Sequence, residues 1–329
     1  MATFWVRPTR RAAPSISTSL LFRLPRVADV PMKFTLSLAM CPPGHILPLA
    51  KAAEESGWDG VALPDSVFFP EEVSAGYPYT PTGERFWAPD TQWVDAFVAI
   101  PAIAAATERL QLYTNVYKTS IRQPLLVAKT VSSAAAMFPG RIGIGVGLSW
   151  IPEEFAWLGM EMKTRGKRLD ETIEILRGLL RPGDAEYFEY HGDHYDFDRL
   201  VMSPAPSEHV PLYVGGHSDP ALERAAKYGD GWIAVQVTTE EIEDIVGKLG
   251  KMLDAHGRSL HSDDGTGPFE IKVTPLIMNT PDDIRSIAAL GVTDVITIPW
   301  MYYGAADDDV QAKADGVKQY ADDVIAPLR

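Results

Sequence analysis

The chain has 329 residues, enough for one large α/β domain or two smaller ones with a full core, and 44 acidic against 30 basic side chains give a formal net charge of −14. No basic stripe offsets that charge, which excludes nucleic-acid and anionic-membrane binding as its main business. The single cysteine, Cys41, excludes an internal disulfide framework and suits a reducing cytoplasm, while the longest apolar run, 96–106, contains Pro101 and is far short of the roughly 20 residues a membrane span takes.

Residues 1–31 hold five arginines and one acid, Asp29, with prolines at 8, 14, 25 and 31. Arg23 interrupts their only apolar cluster, so a secretory signal is not expected. The preferred reading is a disordered basic extension, an upstream start, with a transit-type peptide as the alternative and a single folded domain over 32–329. Strand pattern begins at 33–40, an amphipathic helix at 46–56 closes at Gly57, and a second strand at 60–63 ends in Pro64-Asp65-Ser66. A polar and aromatic stretch, 67–89, follows and contains Tyr77-Pro-Tyr-Thr-Pro-Thr-Gly83. So long an irregular segment reads as a lid or binding loop. A helix is expected at 91–107, a strand at 110–117 and a helix at 124–138. Both helices are alanine-rich and apolar all round, which predicts burial against a second subunit as well as the core.

Next comes Gly140-Arg-Ile-Gly-Ile-Gly-Val-Gly-Leu-Ser-Trp150, a short buried strand over 141–146 with Gly143, Gly145 and Gly147 at every second position. That spacing strips one face of side chains, and two readings stay open: close approach of a flat ligand, or tight packing inside a barrel. Ile151-Pro-Glu-Glu-Phe155 then opens a helix with proline and two acids in its first turn, and a glycine-lined strand end feeding a helix favours a ligand site. The spacing is not the GxGxxG of dinucleotide folds.

The second half repeats the alternation. After a helix at 168–180 comes an excursion, 187–206, around His191-Gly-Asp-His194; then strands at 212–214, 231–237, 271–275 and 294–299 alternate with helices at 219–228, 240–256, 281–290 and 308–327. Eight strand–helix units predict an α/β fold, a (β/α)8 TIM barrel with an insertion after the fourth strand; a doubly wound open sheet is the runner-up. In a barrel, functional residues sit where strands end. Those ends hold Cys41, Asp65-Ser66, 114–117, 147–150, 215–218, Gln236, Pro275 and Trp300, groups that are aromatic, amide or hydroxyl with almost no charge.

Gly215-Gly-His-Ser-Asp-Pro220 offers backbone donors at a helix start, either a phosphate site or an ordinary capped loop. The histidines at 191 and 194 read as flanking a hairpin turn rather than binding metal. HExxH and GxSxG motifs are absent, nothing marks Cys41 as activated, and Asp65 is the only carboxylate at a strand end. Chemistry without a protein acid–base pair implies a cofactor that does the hard step.

The run Asn115-Val-Tyr-Lys-Thr-Ser-Ile-Arg-Gln-Pro124, then Ala128-Lys129, Pro139-Gly-Arg-Ile-Gly-Ile-Gly-Val-Gly147, Trp150, Glu153-Glu-Phe, Leu158-Gly159, Arg165-Gly-Lys-Arg-Leu-Asp-Glu171, Gly215-Gly and Asp230-Gly-Trp232 resembles the luciferase-like monooxygenase superfamily over 32–327. Pro64-Asp65 with the tyrosine-rich 77–83 segment resembles its branch that uses the deazaflavin F420. The resemblance implies a TIM barrel, a cytoplasmic homodimer, a small-molecule substrate, and a cofactor ring at the C-terminal mouth. It also implies a cis non-prolyl peptide at Asn115-Val116, behind the ring. Cofactor contacts are expected from Asp65, Thr114, Asn115, Val116 and Gly145, from Gly147, Leu148, Ser149 and Trp150 beside the ring, and from Gly215, Gly216, His217 and Ser218 at the phosphate.

Two departures bear on mechanism. Many F420 members carry a histidine proton shuttle where this chain has Ser66, and the sugar-phosphate dehydrogenases place a glutamate where Trp150 stands. Asp65 and Ser66 remain as the candidate catalytic pair, and alcohol oxidation is disfavoured against reduction of an already polarised bond. The expectation is an F420-dependent oxidoreductase moving a hydride to or from an apolar or aromatic small molecule held by Cys41, Phe68, Trp300 and Tyr302. The alternatives are an FMN-dependent monooxygenase of the same superfamily and a non-catalytic flavin- or F420-binding protein.

Overall fold

The structure, a computed structural model, describes residues 31–260, 268–276 and 280–329, so all of the expected N-terminal extension except Pro31 lies outside the described residues. In chain order come β1 (Lys33–Ser37), α1 (Ile46–Glu55), β2 (Gly60–Leu63), α2 (Ala96–Ala106), β3 (Gln111–Thr114), β4 (Tyr117–Lys118), α3 (Pro124–Met137), β5 (Ile144–Gly147), α4 (Pro152–Trp157) and α5 (Arg165–Leu179). The hairpin β6 (Tyr187–His191) and β7 (Asp196–Val201) follows, then β8 (Leu212–Gly215), α6 (Asp219–Tyr228), β9 (Gly231–Val237), α7 (Thr239–Ala255), β10 (Glu270–Pro275), α8 (Pro281–Ala288), β11 (Asp294–Thr297) and α9 (Val310–Tyr320).

The main sheet runs β3-β2-β1-β11-β10-β9-β8-β5-β4 with parallel ladders throughout. Its two end strands are halves of one strand, broken at Asn115–Val116. A parallel bridge between Leu112 and Ile142 lays β3 against the approach to β5. Eight strand positions therefore close into the (β/α)8 barrel, and the open-sheet alternative falls. The antiparallel β6–β7 hairpin is the insertion after the fourth position.

Three boundaries depart from the sequence pattern, each for a local reason. The helix expected from residue 91 starts at Ala96, because the Asp95 carboxylate accepts the Phe97 N–H at 2.9 Å and caps it there. The strand expected over 110–117 is interrupted, because the Asn115–Val116 peptide is cis. The glycine strand begins at Ile144 rather than Arg141, whose guanidinium turns aside to the carbonyls of Ala104 (2.9 Å), Thr107 (2.7 Å) and Leu110 (3.1 Å). Those carbonyls are left open where α2 ends, and hydrogen bonds from a charged donor contribute about 1.5–3 kcal/mol each.

Apolar packing forms two compartments. The larger lies between strands and helices; the smaller, inside the barrel, is Ala62, Tyr113, Tyr213, Ile233 and Ile296 with Val116 against them. Toward the strand N-termini the barrel interior is polar. The buried Asp294 carboxylate accepts from Thr35 (3.0 Å), Tyr113 (3.1 Å) and Lys272 (2.7 Å). This plug closes the lower end, so only the C-terminal end is left open for a ligand.

Candidate active site

The broken third strand is the centre of that open end. The glycine face of β5 and β8 receives it: a Cβ on Gly145 would collide with the Thr114 carbonyl, one on Gly147 with the Val116 side chain, and one on Gly215 would lie 2.8 Å from Val116 Cγ1. Of the two readings the sequence left open, packing therefore takes the glycine row. Thr114 spends its hydroxyl on Gly145, donating to the carbonyl at 2.7 Å and accepting the N–H at 2.9 Å. Thr114 and Gly145 thus lie beneath the mouth, and Val116 occupies the bare face that a ring was expected to fill directly.

Beside the bulge a chain of buried charge joins three strand ends. Arg122 clamps both oxygens of Asp65, at 2.6 and 2.9 Å, and the Lys118 N–H donates to the same carboxylate at 2.8 Å. The guanidinium stacks 3.8 Å from the Tyr117 ring centre. Lys118 then reaches Glu154 Oε1 at 2.8 Å, and the Ser149 hydroxyl donates to the other oxygen of Glu154. Asp65 is thereby corrected from a candidate catalytic carboxylate to a fastening of the bulge, since its side chain is 1% exposed and both its oxygens are held, Oδ2 by Arg122 and the Lys118 N–H and Oδ1 by Arg122. Ser149 is committed in the same way.

Several uncharged polar atoms near the strand ends have no such commitment. Ser66 Oγ after β2, Asn115 Oδ1 at the bulge, Thr119 Oγ1 and Ser120 Oγ just after β4, and Thr274 Oγ1 near the end of β10 are buried and without a hydrogen-bond partner among the described residues. A native interior rarely leaves such atoms unpaired, so they mark where a polar ligand completes the fold. At the β8 corner Gly216 has φ +121°, and its carbonyl accepts from Trp232 Nε1 at 2.7 Å. Ser218 caps α6 without a side-chain bond to the helix, whose first turn holds Asp219 and Pro220 and in which the Ala221 N–H donates to the Ser218 carbonyl at 2.8 Å. His217 lies between Gly216 and Ser218, its ring 4.9 Å from Tyr79 and its Nε2 facing the Val235 N–H at 3.4 Å. Burial pushes its imidazole below the ordinary value, toward the neutral form near pH 7.

The other expected residues scatter. Leu148 is partly exposed at the rim, and Trp150 meets Tyr77 edge to face at 5.5 Å. Cys41 is buried, and burial outweighs the pull of Lys313 to push its thiol up to about 12, which makes it inert. Phe68, Trp300 and Tyr302, expected to hold the substrate, each pack on a different neighbour. Phe68 stacks on Trp157 at 5.4 Å, Trp300 packs against Lys313 and Gly316 of α9, and Tyr302 stacks on Tyr320 at 6.0 Å. The two α9 neighbours are claimed by the barrel's outer layer, where burying a large ring is worth more than leaving it at an open rim. The aromatic wall comes instead from the 67–93 loop, through Tyr77, Tyr79 and Trp87. In the excursion His191 pairs with Asp196 at 2.6 Å across the hairpin.

A closed parallel barrel with a broken third strand and a glycine-rich α6 corner defines the class, and sequence comparison agrees. The model for the luciferase-like monooxygenase family matches residues 31–290, and the chain belongs to that family. An uncharacterised protein of Mycobacterium tuberculosis is 38% identical over 300 residues, covering 90% of this chain and 100% of the relative. An F420-dependent glucose-6-phosphate dehydrogenase of Nakamurella multipartita is 30% identical over 227 residues, 64% of this chain and 60% of the relative. Among solved structures, an F420-dependent secondary alcohol dehydrogenase in complex with an F420-acetone adduct superposes with TM-score 0.70 at 17% identity, over 91% of this chain and 99% of that one. The family holds oxidoreductases that use F420 and others that use flavin. No helix among the described residues is long and apolar enough to cross a membrane.

Proposed function

We propose that this chain is an F420-dependent oxidoreductase that moves a hydride between the deazaflavin and an apolar or aromatic small molecule. The observation that carries the reading is the uncharged character of the unpartnered polar atoms near the strand ends, among them Ser66 Oγ, Asn115 Oδ1 and Thr274 Oγ1. Uncharged donors and acceptors of this kind suit a large conjugated ring whose carbonyl and amide edge is polar but uncharged. When bound, F420 supplies the hydride chemistry. Val116 would brace its ring, Asn115 and Thr274 would meet its polar edges, and the Gly215–Ser218 corner would hold its phosphate. Asp65 is held by Arg122, so a proton would pass instead through the Ser66 hydroxyl or a water. Without a carboxylate base at the strand ends, reduction of a polarised alkene, quinone, imine or nitro group is favoured over alcohol oxidation.

The second reading, an FMN-dependent monooxygenase, is favoured by the family's flavin-using members. Fluorescence titration with F420 beside FMN decides between them: F420 is expected to bind more tightly, and a smaller dissociation constant for FMN, with oxygen consumed in the presence of reduced FMN, overturns the first reading. Binding of F420 with no turnover across a broad acceptor screen would favour a cofactor-binding protein. The chain is also proposed to act as a homodimer through α2 and α3, which expose Val98 (68%), Leu126 (70%) and Met137 (68%).

A further inference from the structure

We infer that the loop roofing the mouth carries an anchor for an anionic oxygen group, built from Arg85, Trp87 and Trp93. This rests on reading the mouth as the site of catalysis and names the substituent a ligand must carry there. The loop leaves β2 and crosses toward β5 and β8: the Ser74 N–H donates to Glu153 Oε1 at 3.0 Å, Tyr77 meets Trp150, and Tyr79 meets His217. Trp87 is its hub, with ring centres 4.8 Å from Tyr77, 5.8 Å from Trp93 and 6.0 Å from Phe69. Arg85 lies 5.0 Å from the Phe69 ring centre, so all three anchor residues belong to one cluster.

The unpartnered polar atoms of these three residues are of one kind. Arg85 Nη1, Trp87 Nε1 and Trp93 Nε1 are buried and have no acceptor among the described residues. Guanidinium and indole N–H groups only donate, so no rearrangement within the trio pairs them with one another. A hydroxyl or water can both give and take; three donors, one of them charged, select an acceptor-only group such as a carboxylate or phosphate. The floor is uncharged and the roof cationic, so the anion's place is above the ring plane. That group has two sources, an aromatic substrate or the bound cofactor's own anionic side chain.

Calorimetric titration of the full chain with 2-naphthoate, 2-naphthamide, F420 and FMN, in the wild type, Arg85→Gln and Trp87→Phe, tests this. Naphthoate is expected to bind the wild type about tenfold more tightly than the amide, the value of one charge-assisted hydrogen bond. Arg85→Gln abolishes that preference, and Trp87→Phe, which keeps the ring and loses the N–H, weakens it. If Arg85→Gln instead lowers F420 or FMN affinity about tenfold, the anchor stands and its anion is the cofactor's. The idea is overturned if both variants, with near-UV dichroism unchanged, bind all four ligands as the wild type does, or if a misfolded Arg85→Gln is matched by an Arg85→Lys that folds without any naphthoate preference. A wild type that binds neither cofactor yet loses naphthoate selectivity in Arg85→Gln keeps the anchor and sinks the F420 reading.

Discussion

Glu270 shows how single side chains set the conditions under which this barrel stands. Burial raises its carboxyl, but Lys272 at 2.6 Å and Lys33 at 2.8 Å outweigh burial and hold it at about 2, against an ordinary value of 4.5. A carboxyl depressed by folding contributes stability that is present above pH 4.5 and is lost as pH falls toward 2. The size of that contribution is on the order of 3 kcal/mol. Glu270→Gln is therefore expected to unfold at lower urea than the wild type at pH 7, with the gap narrowing steadily below pH 4.5. A gap that is constant from pH 7 to pH 3 would show the pairing to be worth nothing. At the mouth, the same logic separates Asp65 from Ser66: adjacent in the chain, one is saturated by Arg122 and the other is left free.

At the scale of elements, β5 and β8 are shaped by what they admit. Gly147 and Gly215 yield their side-chain space to Val116, so the bulge sits level with the strand ends. Gly147→Ala forces Val116 and the bulge outward, an overpacking that costs about 1–3 kcal/mol. The expected outcome is a lower melting temperature together with a loss of F420 affinity of about tenfold, since the floor moves with the bulge. Gly247→Ala in α7, where nothing lies within 4 Å of the added Cβ, is the matched control and is expected to leave both unchanged or raise stability slightly. Equal behaviour of the two variants would refute the account of the bulge. The Lys118–Glu154–Ser149 chain has a parallel role, tying β4, α4 and the end of β5 into one unit.

For the whole molecule, the proposed dimer rests on the outer faces of α2 and α3, where Val98 and Leu126 remain exposed on the isolated chain. Light scattering on the eluted protein is expected to give twice the chain's mass of 36.1 kDa, and Leu126→Glu to give the monomer. A monomeric wild type at micromolar concentration would remove the dimer from the account.

The alternation of strand and helix, the barrel, the insertion after the fourth strand and the family were all legible in the residues, because each is written in local periodicity and in short motifs that survive without a partner. The positions of Ser66 after β2 and of Gly215–Ser218 between β8 and α6 were legible too, since each follows a strand end directly. The use of the glycine row was not, because whether a bare strand face meets a ligand or a neighbouring bulge depends on a strand 30 residues away. Nor were the roles of Asp65, Trp300 and Tyr302, whose partners Arg122, Lys313 and Tyr320 are neighbours only after folding. Periodicity records what a segment does on its own; which carboxylate is paired, which ring is walled in and which donor is left waiting are decided by contacts between distant segments.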